Sequence, residues 1–427
     1  MKHEKRNLIK IFKELKLIDQ LIHEKKLVQT ILKKNITLYC GFDPTSDSLH
    51  VGHLIPLFLL KTFQNFGHKP IILVGGATSL IGDPSFRDSE RSINQVDQIE
   101  SWTRKIYNQI GIFFDSNHKK NKAIIVNNIE WFERMKIIDF LTTVGRNFSI
   151  KNMLRKELIK NKLENRQGIS FSEFSYSLLQ AYDFYKLYTD YHASLQIGGS
   201  DQWSNIIVGI ELIKKLSRKE VFGLTFSLIT NSIGRKFGKT EKNNIWLDPK
   251  KTSPYCFYQF WINLDDRNAQ MFFYLLLMSN STLIHNLEMK KYPKKIQYFL
   301  AKKVTEIIHG KYLSDMAHDI SKKIFEYQKI SQFKEEDFRN FLKLGVPKIE
   351  IDLSRRYDIQ EILVKSKLLD SKSQARNMIE NHSISVNFHP CEDKRFIFSE
   401  NEQIFQRYSI VRKGKKDFIL IVWKKVK

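Results

Sequence analysis

Residues 39–53 read YCGFDPTSDSLHVGH, and this stretch decides the fold of the first part of the chain. An apolar run ends at a glycine, a polar turn follows, and two histidines then stand three positions apart. This order predicts a strand end, a turn and a helix start, where free backbone N–H groups can bind phosphate. His50 and His53 would share one helix face, and Gly52 between them would leave room for a flat base. Without other signals, such a pair is more often two surface histidines or half of a metal site.

Short apolar runs lie on both sides of this stretch and alternate with helical patterns. Such runs are typical of parallel strands that are covered on both faces. The pattern predicts a Rossmann-like, doubly wound α/β domain that binds its ligand at the carboxyl edge of the sheet. The predicted strands are 36–42, 71–75, 123–127, 194–198 and 224–229.

The remaining segments differ in pattern from this domain. The N-terminal segment 1–29 has apolar residues at helical spacing among lysines and acids, which predicts a packed helix rather than a targeting peptide. A small helical domain is predicted from 253 to about 329, and 331–351 is predicted as a linker because it contains Gly345 and Pro347. A capping box at Ser371 and Gln374 predicts a helix to Glu380, followed by strands at 383–387, 408–411 and 418–423. The predicted domains are 1–246 (with a lysine-rich loop at 234–242), 247–330, the linker 331–351, and 352–427.

Composition narrows the class of protein. The chain has 427 residues and a formal net charge of +24, which favours a polyanionic partner such as nucleic acid. An AT-biased coding sequence would enrich lysine and raise the net charge as well. No apolar run approaches the roughly 20 residues that span a bilayer. The three cysteines are far apart and have no metal-ligand or redox spacing, so we expect a reducing cytoplasm and no metal site.

Further motifs of the predicted α/β domain are candidates for ligand binding. The loop KFGKT at 236–240 could close on a triphosphate, although alone it would be taken for a solvated loop. Tyr176, Gln180 and Asp183 fall on one face of a predicted helix and could hold a small polar molecule. Two glycine-rich strand exits, at 74–84 and 196–203, allow close backbone contact with a ligand, but neither is a dinucleotide fingerprint.

At these residues the chain resembles the bacterial tyrosyl-tRNA synthetases, which are class I aminoacyl-tRNA synthetases. Residues 50–53 match the first class I signature, with Val51 where isoleucine is usual, and 236–240 is similar to the second. The resemblance implies that tyrosine and Mg-ATP give tyrosyl-adenylate and pyrophosphate, and that the tyrosyl group then passes to the 3′ end of tRNA(Tyr). Mg²⁺ enters with ATP, and no permanently bound cofactor is implied.

The resemblance also implies roles for individual residues. The tyrosine-binding residues would be Tyr39 and Asp183 at the phenol hydroxyl, Asp83, Tyr176 and Gln180 at the ammonium group, and Gln202 near the carboxylate. The ATP-binding residues would be Gly41, Asp43, His50, Gly52, His53, Gly199, Asp201 and Lys239. The catalytic groups near the phosphates would be Thr45, His50, His53, Arg87, Arg91, Lys236, Lys239 and Thr240.

The C-terminal segment resembles the S4-like RNA-binding domain of the same family, with Lys372 and Arg376 as candidate RNA contacts. It departs from the family pattern at Asn377 and at Asn381-His382, where a basic residue and glycines are frequent. The resemblance further implies a cytoplasmic homodimer without a membrane partner, with an interface near 140–156.

Three other functions are considered. The first is a tryptophan-specific relative, the second is a non-catalytic RNA-binding protein with a degenerate synthetase core, and the third is a small-molecule adenylyltransferase. Tyr39 with Asp183 and the basic tail argue against the first, and the intact signature residues argue against the second. The helical and basic C-terminal segments argue against the third.

Overall fold

The computed structural model describes residues 7–84, 95–114, 120–154, 157–164, 168–227, 244–280, 292–326, 329–352, 355–414 and 417–424. Its contacts divide the chain into two compact units. One unit comprises Met1–Leu247 with Asp265–Ile296, and the other comprises Asp248–Leu264 with Gln297–Lys427.

A six-stranded sheet forms the centre of the first unit. Its strands are β1 (Ile18–Leu21), β2 (Thr37–Phe42), β3 (Lys69–Val74), β4 (Ile124–Asn127), β5 (Ala193–Gly199) and β6 (Phe222–Phe226), in the spatial order β1-β6-β5-β2-β3-β4. β2 to β6 run parallel, and β1 pairs with β6 in the antiparallel direction. The predicted parallel strands and the α/β class are confirmed. The chain moves outward from β2 through β3 and β4 and returns to β5 on the other side of β2, which opens a crevice at their carboxyl ends.

Helices cover this sheet and bury its apolar side chains. They are α1 (Leu8–Glu14), α2 (Glu24–Lys33), α3 (Leu54–Asn65), α4 (Thr78–Ile81), α5 (Val96–Gly111), α6 (Ile129–Phe132), α7 (Ile137–Thr143), α8 (Ile150–Leu154), α9 (Glu157–Glu164), α10 (Phe171–Tyr191) and α11 (Trp203–Ser217). Tyr39 of β2 packs with Phe184 of α10 and Ile206 of α11 in one buried cluster. This packing places the polar face of α10 at the crevice.

The N-terminal segment corrects a prediction. Its apolar periodicity suggested one helix over 1–29, but α1 ends at Glu14, Lys16 has a left-handed backbone with φ of 55°, and β1 then joins the sheet edge. Gln20 N–H donates to Thr225 Oγ1 at 3.1 Å. The sheet edge therefore overrides the local helical pattern. Residues 1–6 lie outside the described part of the chain.

The second unit contains helices and a five-stranded sheet. Its helices are α12 (Pro254–Ile262), α14 (Pro293–His309, whose first residues fall in the first unit), α15 (Lys311–Glu326), α16 (Glu335–Leu344), α17 (Ile359–Lys365) and α18 (Lys372–Glu380). Its strands are β7 (Lys348–Asp352), β8 (Ile384–Val386), β9 (His389–Pro390), β10 (Tyr408–Lys413) and β11 (Asp417–Lys424), in the order β7-β11-β10-β8-β9. The predicted helix after Ser371 and the three predicted strands are confirmed. The capping is half of the predicted box, because Gln374 Oε1 accepts from Asp370 N–H instead of from Ser371.

The segment 331–351 is not a linker, which corrects a second prediction. It contains α16 and most of β7, and Phe338, Phe341 and Leu344 of α16 are fully buried. The glycine that suggested a linker, Gly345, ends α16 in a left-handed conformation with φ of 69°.

The predicted helical domain 247–330 contains a helix that belongs to the first unit. α13 (Asp266–Ser279) belongs to the first unit and packs on α3, where Asn65 Nδ2 donates to Ser279 O at 2.7 Å. The structure therefore does not keep 247–330 together as one domain. Within the described residues, no helix is long and apolar enough to cross a membrane.

Candidate active site

The crevice is lined by residues that directly follow parallel strands. Asp43 follows β2, Thr78 follows β3, Asn128 follows β4, and a short helical turn at 200–202 follows β5. Because the carboxyl ends of parallel strands meet at one edge, residues far apart in sequence come together here.

Asp43 is the first acidic group of the site. Its Oδ2 accepts the hydroxyl proton of Tyr176 at 2.8 Å, and its Oδ1 accepts that of Thr78 at 2.9 Å. Burial raises the pKa of the Tyr176 hydroxyl well above its ordinary value, and the charges of Asp43, Asp83 and Asp183 raise it further. One carboxyl group is hydrogen-bonded to this neutral tyrosine and two more lie close enough to affect it, which suits a cationic ligand.

Asp183 is buried and held by two donors. Trp131 Nε1 donates to its Oδ1 at 2.8 Å, and Asn128 Nδ2 donates to its Oδ2 at 3.1 Å. Burial raises the pKa of Asp183 well above its ordinary value, although both hydrogen bonds oppose that rise. Asn128 Nδ2 also donates to Thr78 Oγ1 at 3.0 Å. One hydrogen-bond chain thus connects Asp43, Thr78, Asn128, Asp183 and Trp131.

Sequence reasoning missed Asn128 and Trp131 as site residues. Asn128 is fully buried, and its Oδ1 also accepts from Ala77 N–H at 2.8 Å, which fixes the turn after β3. A signal did exist: an asparagine pair ends the third predicted strand (123–127), at the edge where the other site residues lie.

Tyr39 lies on the strand next to these groups. Its ring packs against Phe184 at 5.1 Å between centroids, and it is 1% exposed. Burial raises the pKa of its hydroxyl well above the ordinary value, and the nearby charge of Asp183 adds to that rise. Among the described residues, its hydroxyl has no hydrogen-bond partner. The structure therefore brings Tyr39 and Asp183 close together without joining them.

Two glutamines have similarly buried, unpartnered acceptors. Gln180 Oε1 and Gln196 Oε1 find no hydrogen-bond partner in the described part of the chain. Gln196 lies in β5 directly beside Tyr39 and was not predicted as a site residue. Gln202 Nε2 donates to Asp83 Oδ2 at 2.6 Å, so these two predicted residues do meet.

The two histidines lie side by side directly before α3, with their ring planes tilted by 38°. Their ring centroids are 4.0 Å apart. His53 Nδ1 accepts from His50 N–H, and His50 Nδ1 accepts from Gly52 N–H, each at 3.1 Å. Both protons therefore sit on Nε2, where they can be donated. Burial, followed by the neighbouring His50, holds the pKa of His53 well below its ordinary value, so His53 is a neutral donor.

Glycines shape the crevice at two positions. A Cβ at Gly75 would lie 1.8 Å from Asp43 Oδ1, so this position requires glycine for Asp43 to reach Thr78. Gly41 is exposed although it lies in the central strand, and a Cβ there would meet nothing within 4 Å. The backbone of β2 is therefore open to a ligand at Gly41.

The remaining candidate site residues make fewer contacts that define their position, or lie outside the described residues. Asp201 lies close enough to Cys40 that its charge, after burial, helps raise the pKa of that thiol to about 12. Thr45 is exposed, and its N–H donates to Asp43 O at 2.9 Å. Arg87, Arg91, Lys236, Lys239 and Thr240 lie outside the described residues. In the second unit, Lys372 and Arg376 are exposed on α18. Within the described ranges, no three acidic, histidine or cysteine side chains cluster as metal ligands.

The chain is similar to known proteins over most of its length. Residues 32–326 match the family described as tRNA synthetases class I (W and Y), and 337–421 match the C-terminal domain described as tyrosine–tRNA ligase SYY-like. It is 46% identical over 420 residues to the tyrosine–tRNA ligase of Blochmanniella floridana, covering 98% of this chain and 99% of that one. It is 45% identical over 424 residues to that of Escherichia coli O8 (strain IAI1), with 98% and 99% covered.

Solved structures show the same fold. A C-terminally truncated mitochondrial tyrosyl-tRNA synthetase from Aspergillus nidulans matches with a TM-score of 0.65 and 26% identity, over 75% of this chain and 94% of that one. A tyrosyl-tRNA synthetase from Archaeoglobus fulgidus matches with a TM-score of 0.53 at 16% identity, over 72% of this chain and 99% of that one.

Proposed function

The chain belongs to the class I tRNA synthetases for tryptophan and tyrosine and is a ligase that charges tRNA with tyrosine. From this premise we propose which residues bind tyrosine, ATP and tRNA. The observation that carries the proposal is the hydrogen-bond chain that joins Asp43 to Asp183. It holds two carboxyl groups in fixed positions beside Tyr39 and Tyr176.

The phenol end of tyrosine is recognised by Tyr39 and Asp183. The substrate hydroxyl donates to Asp183, whose other contacts with Trp131 and Asn128 fix its orientation, and it accepts from the unpartnered hydroxyl of Tyr39. Phenylalanine would leave both buried groups without that partner, which costs free energy because buried polar groups must be paired. Selection against phenylalanine follows from this cost.

The ammonium end is recognised by Asp83, Tyr176 and Gln180. An ammonium group has three N–H donors and needs three acceptors. The Tyr176 hydroxyl gives its proton to Asp43, so its lone pairs remain as acceptors. Gln180 Oε1 is a second acceptor and the Asp83 carboxylate is a third. Gln202, bonded to Asp83, lies beside the substrate carboxylate in this arrangement.

The nucleotide lies along the open backbone of β2 and the turn after β5. Gly41, Asp43 and Gly199 line it, Asp201 accepts from the ribose hydroxyls, and Gly52 leaves room for the base. The Nε2 protons of His50 and His53, with Thr45, face the phosphates of Mg-ATP. Further contacts come from residues beyond the described ranges, namely Arg87, Arg91, Lys236, Lys239 and Thr240.

Chemistry at this site needs no protein nucleophile. A carboxylate oxygen of tyrosine attacks the α-phosphorus of ATP, the bond to the bridging oxygen breaks, and pyrophosphate leaves with its electron pair. Neutral N–H donors that are already oriented stabilise the charge that develops on the phosphates. A hydroxyl of the terminal tRNA adenosine then attacks the tyrosyl carbonyl, and AMP leaves.

The second unit is proposed to bind tRNA. The small helical domain and the S4-like segment 352–427 would contact the RNA, with Lys372 and Arg376 exposed on α18 as candidate contacts. The net charge of +24 supports this role. Removal of 357–427 should leave adenylate formation intact and abolish most tRNA charging, and loss of both activities would assign the segment to folding instead.

A homodimer is proposed from exposed apolar side chains of the first unit. Ile137 is 67% exposed, Ile138 64% and Ile150 66%, and they lie in or next to the predicted interface at 140–156. The cytoplasm is the proposed location, supported by three free cysteines of which two are buried.

Amino-acid-dependent ATP–pyrophosphate exchange tests the proposal. We expect exchange with tyrosine, and none with tryptophan or without an amino acid. Exchange with tryptophan alone would identify a tryptophan enzyme, and its absence under every condition would overturn the assignment of the site.

A further inference from the structure

A helix outside the tyrosine pocket holds the turn that leads into the histidine pair. Gln109 of α5 uses both ends of its amide on this turn. Its Oε1 accepts from Leu49 N–H at 2.8 Å, and its Nε2 donates to Ser48 Oγ at 3.0 Å. One helical turn earlier, Lys105 Nζ lies 2.9 Å from Asp47 Oδ2. Successive residues of the turn are thus tied to one face of α5.

The residues on both sides of His50 are fixed by hydrogen bonds. Leu49 N–H goes to Gln109, while Leu49 O accepts from Leu247 N–H at 2.8 Å. Val51 N–H donates to Ile245 O at 2.9 Å. Of these three hydrogen bonds, only the bond from Leu49 N–H to Gln109 Oε1 involves a side chain. A substitution of Gln109 can therefore remove this bond while both backbone bonds remain.

This restraint acts on the direction of the histidine rings. His50 N–H donates to His53 Nδ1, so the backbone orientation at His50 also sets the position of the His53 ring. The centroids of the two rings are 4.0 Å apart, and a rotation of the peptide between Leu49 and His50 would move both Nε2 protons together. Hydrogen bonds to phosphate weaken steeply when the distance or angle changes.

We propose that Gln109 is a positioning residue of the phosphate site, which orients His50 and His53 through Ser48 and Leu49. The inference rests on the proposed function, since it requires that the histidine pair meets ATP. Ser48 is 3% exposed and Leu49 is 2% exposed, so water does not readily replace the lost amide. Because small displacements of catalytic groups cost up to about 100-fold in rate, removing the amide should slow adenylate formation by about 10- to 100-fold.

Three variants test the proposal in tyrosine-dependent pyrophosphate exchange. Gln109→Leu removes both hydrogen bonds at nearly constant size. Gln98→Leu makes the same chemical change at an exposed position of the same helix and is the matched control. Gln109→Glu keeps an acceptor for Leu49 N–H. We expect the rate constant to fall for Gln109→Leu, to stay within about two-fold for Gln98→Leu, and to be partly restored for Gln109→Glu. Tyrosine affinity, measured by equilibrium binding, should be unchanged in all three.

A double-mutant cycle with His50→Ala separates positioning from a general loss of structure. If Gln109 acts through the histidines, Gln109→Leu should have little further effect in the His50→Ala background. Equal effects of Gln109→Leu in both backgrounds, or equal rates for the Gln109→Leu and Gln98→Leu variants, would overturn the inference. Failure of the unaltered protein to exchange with tyrosine would instead overturn the proposed function.

Discussion

Trp131→Phe isolates the contribution of one hydrogen bond to tyrosine recognition. The indole N–H lies 2.8 Å from Asp183 Oδ1, both side chains are buried, and phenylalanine keeps an aromatic ring in the cluster without the donor. Burial raises the pKa of Asp183, and the Trp131 hydrogen bond is one of two contacts that lower it. Losing this bond therefore raises the pKa of Asp183 further.

The size of the effect follows from the charge on Asp183. A hydrogen bond to an ionised group contributes about 1.5–3 kcal/mol, which corresponds to about a 10- to 100-fold change in proton affinity. In its proposed role, Asp183 accepts a weaker hydrogen bond from the substrate phenol once it is protonated. The carboxylate form is lost as the pH falls through the folded-state pKa of Asp183, so the acid limb of tyrosine kcat/KM should move to higher pH in the variant.

The assay is pyrophosphate exchange as a function of pH, with tyrosine varied at saturating ATP. Trp102→Phe is the control, because Trp102 lies on α5 and is not part of the hydrogen-bond chain that joins Asp43 to Asp183. We expect the acid limb to move for Trp131→Phe alone, with a deficit that shrinks as the pH rises. A pH-independent loss of kcat/KM, or an acid limb in the same place, would refute the role of this hydrogen bond.

Three further substitutions test other parts of the site. Tyr39→Phe removes a buried hydroxyl that lacks a partner in the described structure, so thermal unfolding should show a gain of about 1 kcal/mol. Exchange assays should show that its preference for tyrosine over phenylalanine falls about 10-fold or more. Lys162→Met leaves Glu173, its buried partner at 2.9 Å, without a counter-charge, and urea unfolding should show a loss of about 3–5 kcal/mol. Gly75→Ala places a methyl group against Asp43, and the KM for tyrosine should rise about 10-fold or more.

Each of these three substitutions has a control or an outcome that would contradict the prediction. Exchange with phenylalanine that stays as low as in the unaltered protein would remove Tyr39 from specificity. The double variant Lys162→Met/Glu173→Leu should recover most of the stability, and failure to recover it would point to lost packing. Gly111→Ala changes a glycine whose added Cβ meets nothing within 4 Å, and a similar rise in KM there would show that the effect at Gly75 is not local.

The strands and the histidine pair could be predicted because neighbouring residues in the sequence identify them. β2 to β6 are short apolar runs, and the histidine pair follows the first of them directly, so their positions could be read from neighbouring residues. Trp131 and Gln109 could not be assigned in that way. Each contacts a residue at least 50 positions away, and only the folded sheet brings these partners together. The same reason explains β1, because an edge strand is defined by the strand on which it pairs.

The segment 331–351 was predicted as a linker although it contains a buried helix and most of a strand. A glycine and a proline suggested a break, and they do mark the end of α16. The apolar residues of α16 repeat at helical spacing over only three turns, which is too short to identify a buried helix from one sequence. Its burial depends on contacts such as the stacking of Phe338 on Tyr408, at 4.9 Å between centroids, which the local pattern does not contain.

The groups that are proposed to recognise the two ends of tyrosine affect one another. Burial raises the pKa of Asp183, and the negative charge of Asp43 raises it further, so both oppose ionisation of the residue proposed to accept a hydrogen bond from the phenol. An ammonium group placed beside Asp83 and Tyr176 supplies a positive charge, offsets that repulsion and favours the carboxylate form of Asp183. By linkage, binding at the ammonium end strengthens binding at the phenol end by the same factor in each direction. A ligand that carries only one of the two groups therefore loses this coupling in addition to the missing contact, and the site selects for both groups on one molecule.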